Sequence, residues 1–125
     1  MITRKHYFIF SLIWFTVILF LSILPSSTSD TLALEGFEMR LDYLLHFLIY
    51  FPIGFAMMRW NKGDRKSKEV IYTIILLLFF SMVPELLQYF IPYRTFNPFD
   101  LLFNMAGTIV GCLTVILIVN VRRNT

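Results

Sequence analysis

One cysteine, Cys112, is all the sequence contains, and it lies inside an apolar run. An intrachain disulfide is therefore excluded, and the lone thiol reads as a small hydrophobe packed on a helix. Charge is scarce too: Asp, Glu, Lys and Arg make up 15% of the 125 residues, against 58% hydrophobic ones. Soluble domains carry about 45–50% apolar and about 25% charged residues, and a chain this short can bury only a limited share of its surface. So many apolar side chains need lipid as their solvent. Internal repeats, heptads and low-complexity tracts are missing, and the length fits one domain over residues 1–125. The formal charge of +3 does not come from a basic stripe interleaved with aromatics, because the Lys and Arg residues stand at the ends of apolar runs. That placement argues against nucleic acid as a partner.

What is present is a set of long hydrophobic runs. A membrane-spanning helix needs about 20 mostly apolar residues at about 1.5 Å rise each. Four segments qualify, at about 7–24, 41–60, 70–91 and 99–121. The fold class expected is thus all-α, an integral membrane bundle of four transmembrane helices. Arg4-Lys5 ahead of the first run resembles a signal peptide. However, the run from Tyr7 to Leu24 is 18 residues long, carries Trp14, and is followed by no A-x-A-like site. A retained helix is the better reading. Tyr7, Trp60, Tyr72, Tyr89 and Tyr93 stand near span ends, as interfacial aromatics do.

Orientation follows from the basic residues. Arg4, Lys5, Arg59, Lys62, Arg65, Lys66, Lys68, Arg122 and Arg123 fall on one side, nine of the eleven, and only Arg40 and Arg94 on the other. The positive-inside rule then puts both termini in the cytoplasm of a multi-pass cell-membrane protein.

With that topology, the polar residues within the spans gather at one depth. The second helix would enter from outside, with Asp42 at its mouth and His46 and Tyr50 one and two turns deeper on one face. The third would bring Glu85 to about 9 Å below its end at Ile91, with Gln88 one turn above. In the fourth, Asp100, Asn104, Gly107 and Gly111 fall within about 60° of one another. Arg94 lies in the loop between these last two helices. Ionisable groups within a bilayer are costly and are usually paired or functional, and the inner half has none comparable. The eight residues Asp42, His46, Tyr50, Glu85, Gln88, Arg94, Asp100 and Asn104 are the candidate ligand-binding set.

Plainer roles exist for several of them. Asp42 and Asp100 stand where helix caps stand, and Gln88 and Asn104 could tie helices together. Gly107-x-x-x-Gly111 points to close helix packing. Pro84 should free the Phe80 carbonyl and turn Glu85 inward. His46 and Glu85 have no such explanation, being too deep to cap a helix. The first loop, Thr31 to Arg40, mixes apolar residues with Glu35 and Glu38, as a short surface helix would.

These residues resemble the VanZ-like family, named for an accessory glycopeptide (teicoplanin) resistance protein. Asp42-x-x-x-His46-Phe47-x-x-Tyr50 is similar to the family's opening of helix two, and Glu85-x-x-Gln88 to its helix-three signature. Arg94, Asp100, Asn104, Gly107 and Gly111 reproduce its last run. Two positions depart: Tyr43 stands where the family usually has Lys, and Tyr93 where it often has Gly before the loop Arg. Any anion-binding role therefore falls more heavily on Arg94. The resemblance implies a four-helix envelope protein associated with tolerance to teicoplanin-like compounds.

The expected function is to engage an envelope lipid, a lipid-linked cell-wall precursor or a lipophilic glycopeptide at the outer leaflet. Arg94 would hold phosphate or carboxylate bidentately, and the N–H groups opening helix four would add to the anion site. The alternative is a membrane enzyme acting on a phospho-lipid bond. There His46, oriented by Asp42, serves as base or nucleophile, with Glu85 or Asp100 as a second acid–base group. A metal site on His46, Glu85 and Asp100 ranks third, since one His with carboxylates is a generic donor set. The sequence alone therefore assigns no metal, no cofactor and no catalytic residue, and leans away from an enzyme.

Overall fold

The computed structural model describes residues 3–24, 31–34, 37–61 and 68–124. Four helices follow one another: α1 (Arg4–Ile23), α2 (Leu41–Trp60), α3 (Lys68–Gln88) and α4 (Pro98–Asn124). Each is long and apolar enough to cross a membrane. Their burial pattern departs from that of a soluble bundle on the outside. Ser81, Glu85, Asn104 and Thr108 are fully enclosed, while Ile13, Phe20, Ile75, Phe79, Leu102 and Leu117 face outward. These polar groups share the interior with an apolar cluster that includes Ile53, Met58, Leu77 and Val115, and the apolar exterior is the arrangement that lipid stabilises. Most of the buried hydroxyls bond within their own helix, as Ser11 does to the Tyr7 carbonyl and Thr108 to that of Asn104.

The ends of α1, α3 and α4 differ from the sequence reading by one to three residues, and three of these differences have a clear local cause. Helix α1 starts three residues earlier than Tyr7, because the Thr3 backbone N–H finds an acceptor in His6 Nδ1 at 3.1 Å. Helix α3 stops at Gln88 rather than Ile91. The N–H groups of Tyr89, Phe90 and Ile91 turn to carbonyls three residues back, tightening the end, and Pro92 has no N–H with which to continue. Glu85 therefore sits one turn below its helix end, not two. Helix α4 opens at Pro98 behind an Asn97 cap, whose side-chain oxygen accepts the Phe99 N–H at 3.0 Å. Asp100 is consequently not the cap.

The surface helix expected over Thr31 to Arg40 is absent. Strands β1 (Thr31–Leu34) and β2 (Phe37–Arg40) pair antiparallel there, with Thr31 opposite Arg40 and Leu34 opposite Phe37. Ten residues interrupted by Gly36 are too few to sustain an isolated helix, whereas each run of four needs only a partner strand. Glu35 and Gly36 themselves lie outside the described residues.

Helices α2 and α4 form the closest pair. A Cβ at Gly107 would collide with the Phe47 carbonyl oxygen, one at Gly111 with that of Phe51, and one at Gly54 with that of Thr108. The small-residue stripe expected on α4 thus meets α2, which contributes its own glycine. Helix α1 is attached along its length by single hydrogen bonds. Arg4 Nε donates to the Trp60 carbonyl at 2.8 Å and Trp14 Nε1 to that of Ile49 at 2.8 Å.

Candidate functional site

The polar cluster forms where α2 and α4 begin and α1 and α3 finish. His46, on α2, is at its centre. Its Nδ1 lies 2.8 Å from Asn104 Oδ1 on α4, and Asn104 Nδ2 donates to Glu85 Oε1 on α3 at 3.2 Å. One amide thus ties three helices. Because its NH2 must face the Glu85 carboxylate, its oxygen faces the imidazole, so Nδ1 carries the proton. The other ring nitrogen, Nε2, faces two carboxylates. It lies 3.6 Å from Asp42 Oδ1 and 3.8 Å from Asp100 Oδ2. Asp100 is held in place by Asn97 Nδ2 at 2.9 Å, so the capping residue of α4 also orients a carboxylate toward the histidine.

Beside this network is a cavity of about 150 Å³ between α1, α2 and α3. One wall is apolar, built from Ile18, Leu21, Leu45 and Ile49; the other carries Asp42, His46, Tyr50, Glu85, Gln88 and Arg94. Six of the eight residues singled out from the sequence line this one space. The remaining two, Asp100 and Asn104, stand immediately behind it in the histidine network. Three of the lining residues bring a buried polar atom with no hydrogen-bond partner among the described residues: Tyr50 Oη, Glu85 Oε2 and Arg94 Nε. Buried polar groups are nearly always satisfied in folded proteins. Three orphans in one cavity mark it as a place where something polar belongs.

Two expectations need revision. Arg94 was expected to offer its whole guanidinium fork to an anion. Instead Nη2 donates to the carbonyls of Leu21 (3.2 Å) and Leu24, closing the C-terminal end of α1 as Arg side chains can. Tyr93 Oη donates beside it to the Ile23 carbonyl at 3.0 Å. Only the rest of the fork remains for a ligand. The enzyme alternative has His46 oriented by Asp42, yet Asn104 bonds its Nδ1 and Asp42 faces the opposite nitrogen. The donor set also shifts: the ligating atoms that lie within 4.8 Å of one another belong to Asp42, His46 and Asp100, with Glu85 on the other side of the ring.

Sequence reasoning missed Asn97 and Gly54. An Asn directly before Pro98 was a legible cap signal. Gly54 lay unmarked in an apolar run, and nothing but its helical face distinguishes it. Pro84 is buried next to a Glu85 that is 1% exposed, in keeping with an inward-turned carboxylate.

No curated protein and no solved structure matches the chain. The family model described as VanZ/LLP1 matches residues 7–119. That span runs from the first helix through the histidine network and most of α4, and on it the chain is a multi-pass membrane protein belonging to the VanZ/LLP1 family.

Proposed function

We propose that the cavity binds the head group of an anionic amphiphile at the outer leaflet of the cell membrane. The class includes phospholipids, lipid-linked cell-wall precursors and lipophilic glycopeptides of the teicoplanin kind. The observation that carries this reading is the trio of buried, unpartnered atoms facing an apolar wall. Arg94 Nε–H is a charged donor suited to a phosphate or carboxylate oxygen. Tyr50 Oη gives or accepts one further bond, and Glu85 Oε2 calls for a donor or a cation. The apolar residues of α1 and α2 would hold the start of an acyl or prenyl chain. The outer location rests on the basic-residue asymmetry.

Native mass spectrometry of gently extracted protein tests the binding. Intact lipid or lipid-linked precursor should travel with the wild-type chain. Arg94→Lys should lose roughly tenfold of it, equivalent to about 1.4 kcal/mol, because Lys lacks the planar fork. Undiminished retention in that variant sinks the reading. Hydrolysis of a phospho-lipid bond draws support from one feature, the fixed tautomer that leaves His46 Nε2 as a base. A cleaved product in place of intact lipid, abolished in His46→Gln, would favour it.

Topology has its own check. In a Cys112→Ser background, a cysteine at Thr95 should react with an impermeant thiol reagent applied to intact cells, and one at Asn124 should not. The opposite pattern would invert the membrane and move the cavity to the cytoplasmic leaflet.

A further inference from the structure

Resting on the amphiphile reading of the same cavity, we infer that the head group carries a hydroxyl beside its phosphate. The site then takes glycerol- or sugar-phosphate esters and rejects equally charged esters that lack the hydroxyl. Three side chains on the polar wall set this requirement. Tyr50, Glu85 and Gln88 are 3%, 1% and 5% exposed, and all three line the cavity. Tyr50 Oη and Glu85 Oε2 are both buried without a hydrogen-bond partner among the described residues, so neither satisfies the other. Such atoms are costly unless a bound group pairs with them.

An anion alone cannot fill that role. Arg94 Nε–H takes one phosphate or carboxylate oxygen, but such an oxygen only accepts, and an ionised Glu85 repels it. An ammonium only donates, and it pairs with Glu85 solely in the ionised form. A hydroxyl both donates and accepts. It gives its proton to a carboxylate or takes a bond from a carboxylic acid. Its remaining capacity suits the phenol of Tyr50 and the amide of Gln88. The pairing therefore holds whichever charge Glu85 carries.

The shape of the cavity says where the hydroxyl belongs. One wall is apolar and the other polar, so the anion between them needs two substituents, a chain toward the first wall and a hydroxyl toward the second. A phosphodiester has both and keeps a free oxygen for Arg94, whereas a fatty carboxylate ends its chain and has no second substituent. Volume limits the distance. At about 30 Å³ for each water-sized group, a cavity of about 150 Å³ holds only a handful of them. The hydroxyl is thus on the glycerol or sugar next to the phosphate, not on a remote part of a large head group.

Full-length protein in phosphatidylcholine nanodiscs, doped with equal amounts of phosphatidylglycerol and phosphatidylethanol, tests this by native mass spectrometry. The two dopants share chains and charge and differ in the glycerol hydroxyls. Phosphatidylglycerol should be retained at least about tenfold over phosphatidylethanol. Tyr50→Phe keeps the ring and removes only an unpaired hydroxyl, so the variant should melt no earlier while the preference falls at least about threefold. Equal retention of the two dopants by the wild type, as water filling these bonds would give, overturns the inference without any variant. If both dopants are then lost in Arg94→Lys, the amphiphile reading still stands. A hydroxyl preference at undiminished total retention in Arg94→Lys would instead sink the anion grip and keep the hydroxyl pairing. Phosphatidylethanolamine retained as well as phosphatidylglycerol would overturn the hydroxyl in favour of an ammonium. A prenyl-linked glucosyl phosphate added to the phosphatidylglycerol discs separates the two sources: displacement of the phospholipid assigns the sugar ester, no displacement assigns the glycerol ester, and both support the hydroxyl.

Discussion

Asn104→Leu should leave a protein that reaches the membrane in reduced amount, melts earlier in detergent and retains little ligand. Leucine keeps the branch at Cγ, though with more bulk, but can neither accept from His46 Nδ1 nor donate to Glu85 Oε1, both of which are satisfied by this one amide. Asn104 is completely enclosed, so water cannot easily take its place. Each buried polar group left unpaired costs about 1–3 kcal/mol, and two are created at once. The imidazole would also be free to turn and to change tautomer. Leu102→Ala, on the exposed face of the same helix, is the control and should change little. A wild-type melting temperature for Asn104→Leu would show that the three-helix tie is not formed.

Gly107→Leu is expected to have the largest effect on assembly. Even alanine places its Cβ against the Phe47 carbonyl, a backbone atom that cannot swing aside. Overpacking of this kind usually costs about 1–3 kcal/mol and occasionally more, and leucine adds a branched side chain to the same clash. Assembled protein should fall in the order wild type, Gly107→Ala, Gly107→Leu. Gly54→Ala, which meets the Thr108 carbonyl from the opposite side of the interface, should behave like Gly107→Ala. Wild-type yields for all three would mean that α2 and α4 do not pack on these glycines.

The membrane character of the chain was legible because lipid selects on length and composition, which no tertiary contact can disguise. Depth was legible for a related reason. Once spans are fixed, 1.5 Å per residue places Asp42, His46, Glu85, Gln88, Asp100 and Asn104 at one level, and all of them reappear around a single cavity and its histidine. Which partner each side chain chooses was not legible. His46 lies one turn from Asp42 in sequence, and that proximity hid the stronger bond to Asn104, 58 residues away. The engagement of Arg94 with the Leu21 carbonyl, 73 residues away, is equally invisible to local pattern. The strand pair at 31–34 and 37–40 was misread because amphipathic spacing over so few residues fits paired strands as well as a helix turn. Close packing at Gly107 and Gly111 carried a motif, whereas the matching Gly54 carried none.

Cys112 has a use that follows from where α2 and α4 touch. Its Sγ is fully enclosed and donates to the Gly54 carbonyl at 3.5 Å, at the heart of the glycine contact. In the folded protein a thiol reagent of any permeability should find nothing to react with. Modification can proceed only as fast as those two helices part. The native thiol is therefore a built-in clock for opening of the bundle: pulse-alkylation in nanodiscs, with and without ligand, would read the opening rate directly and without an introduced label.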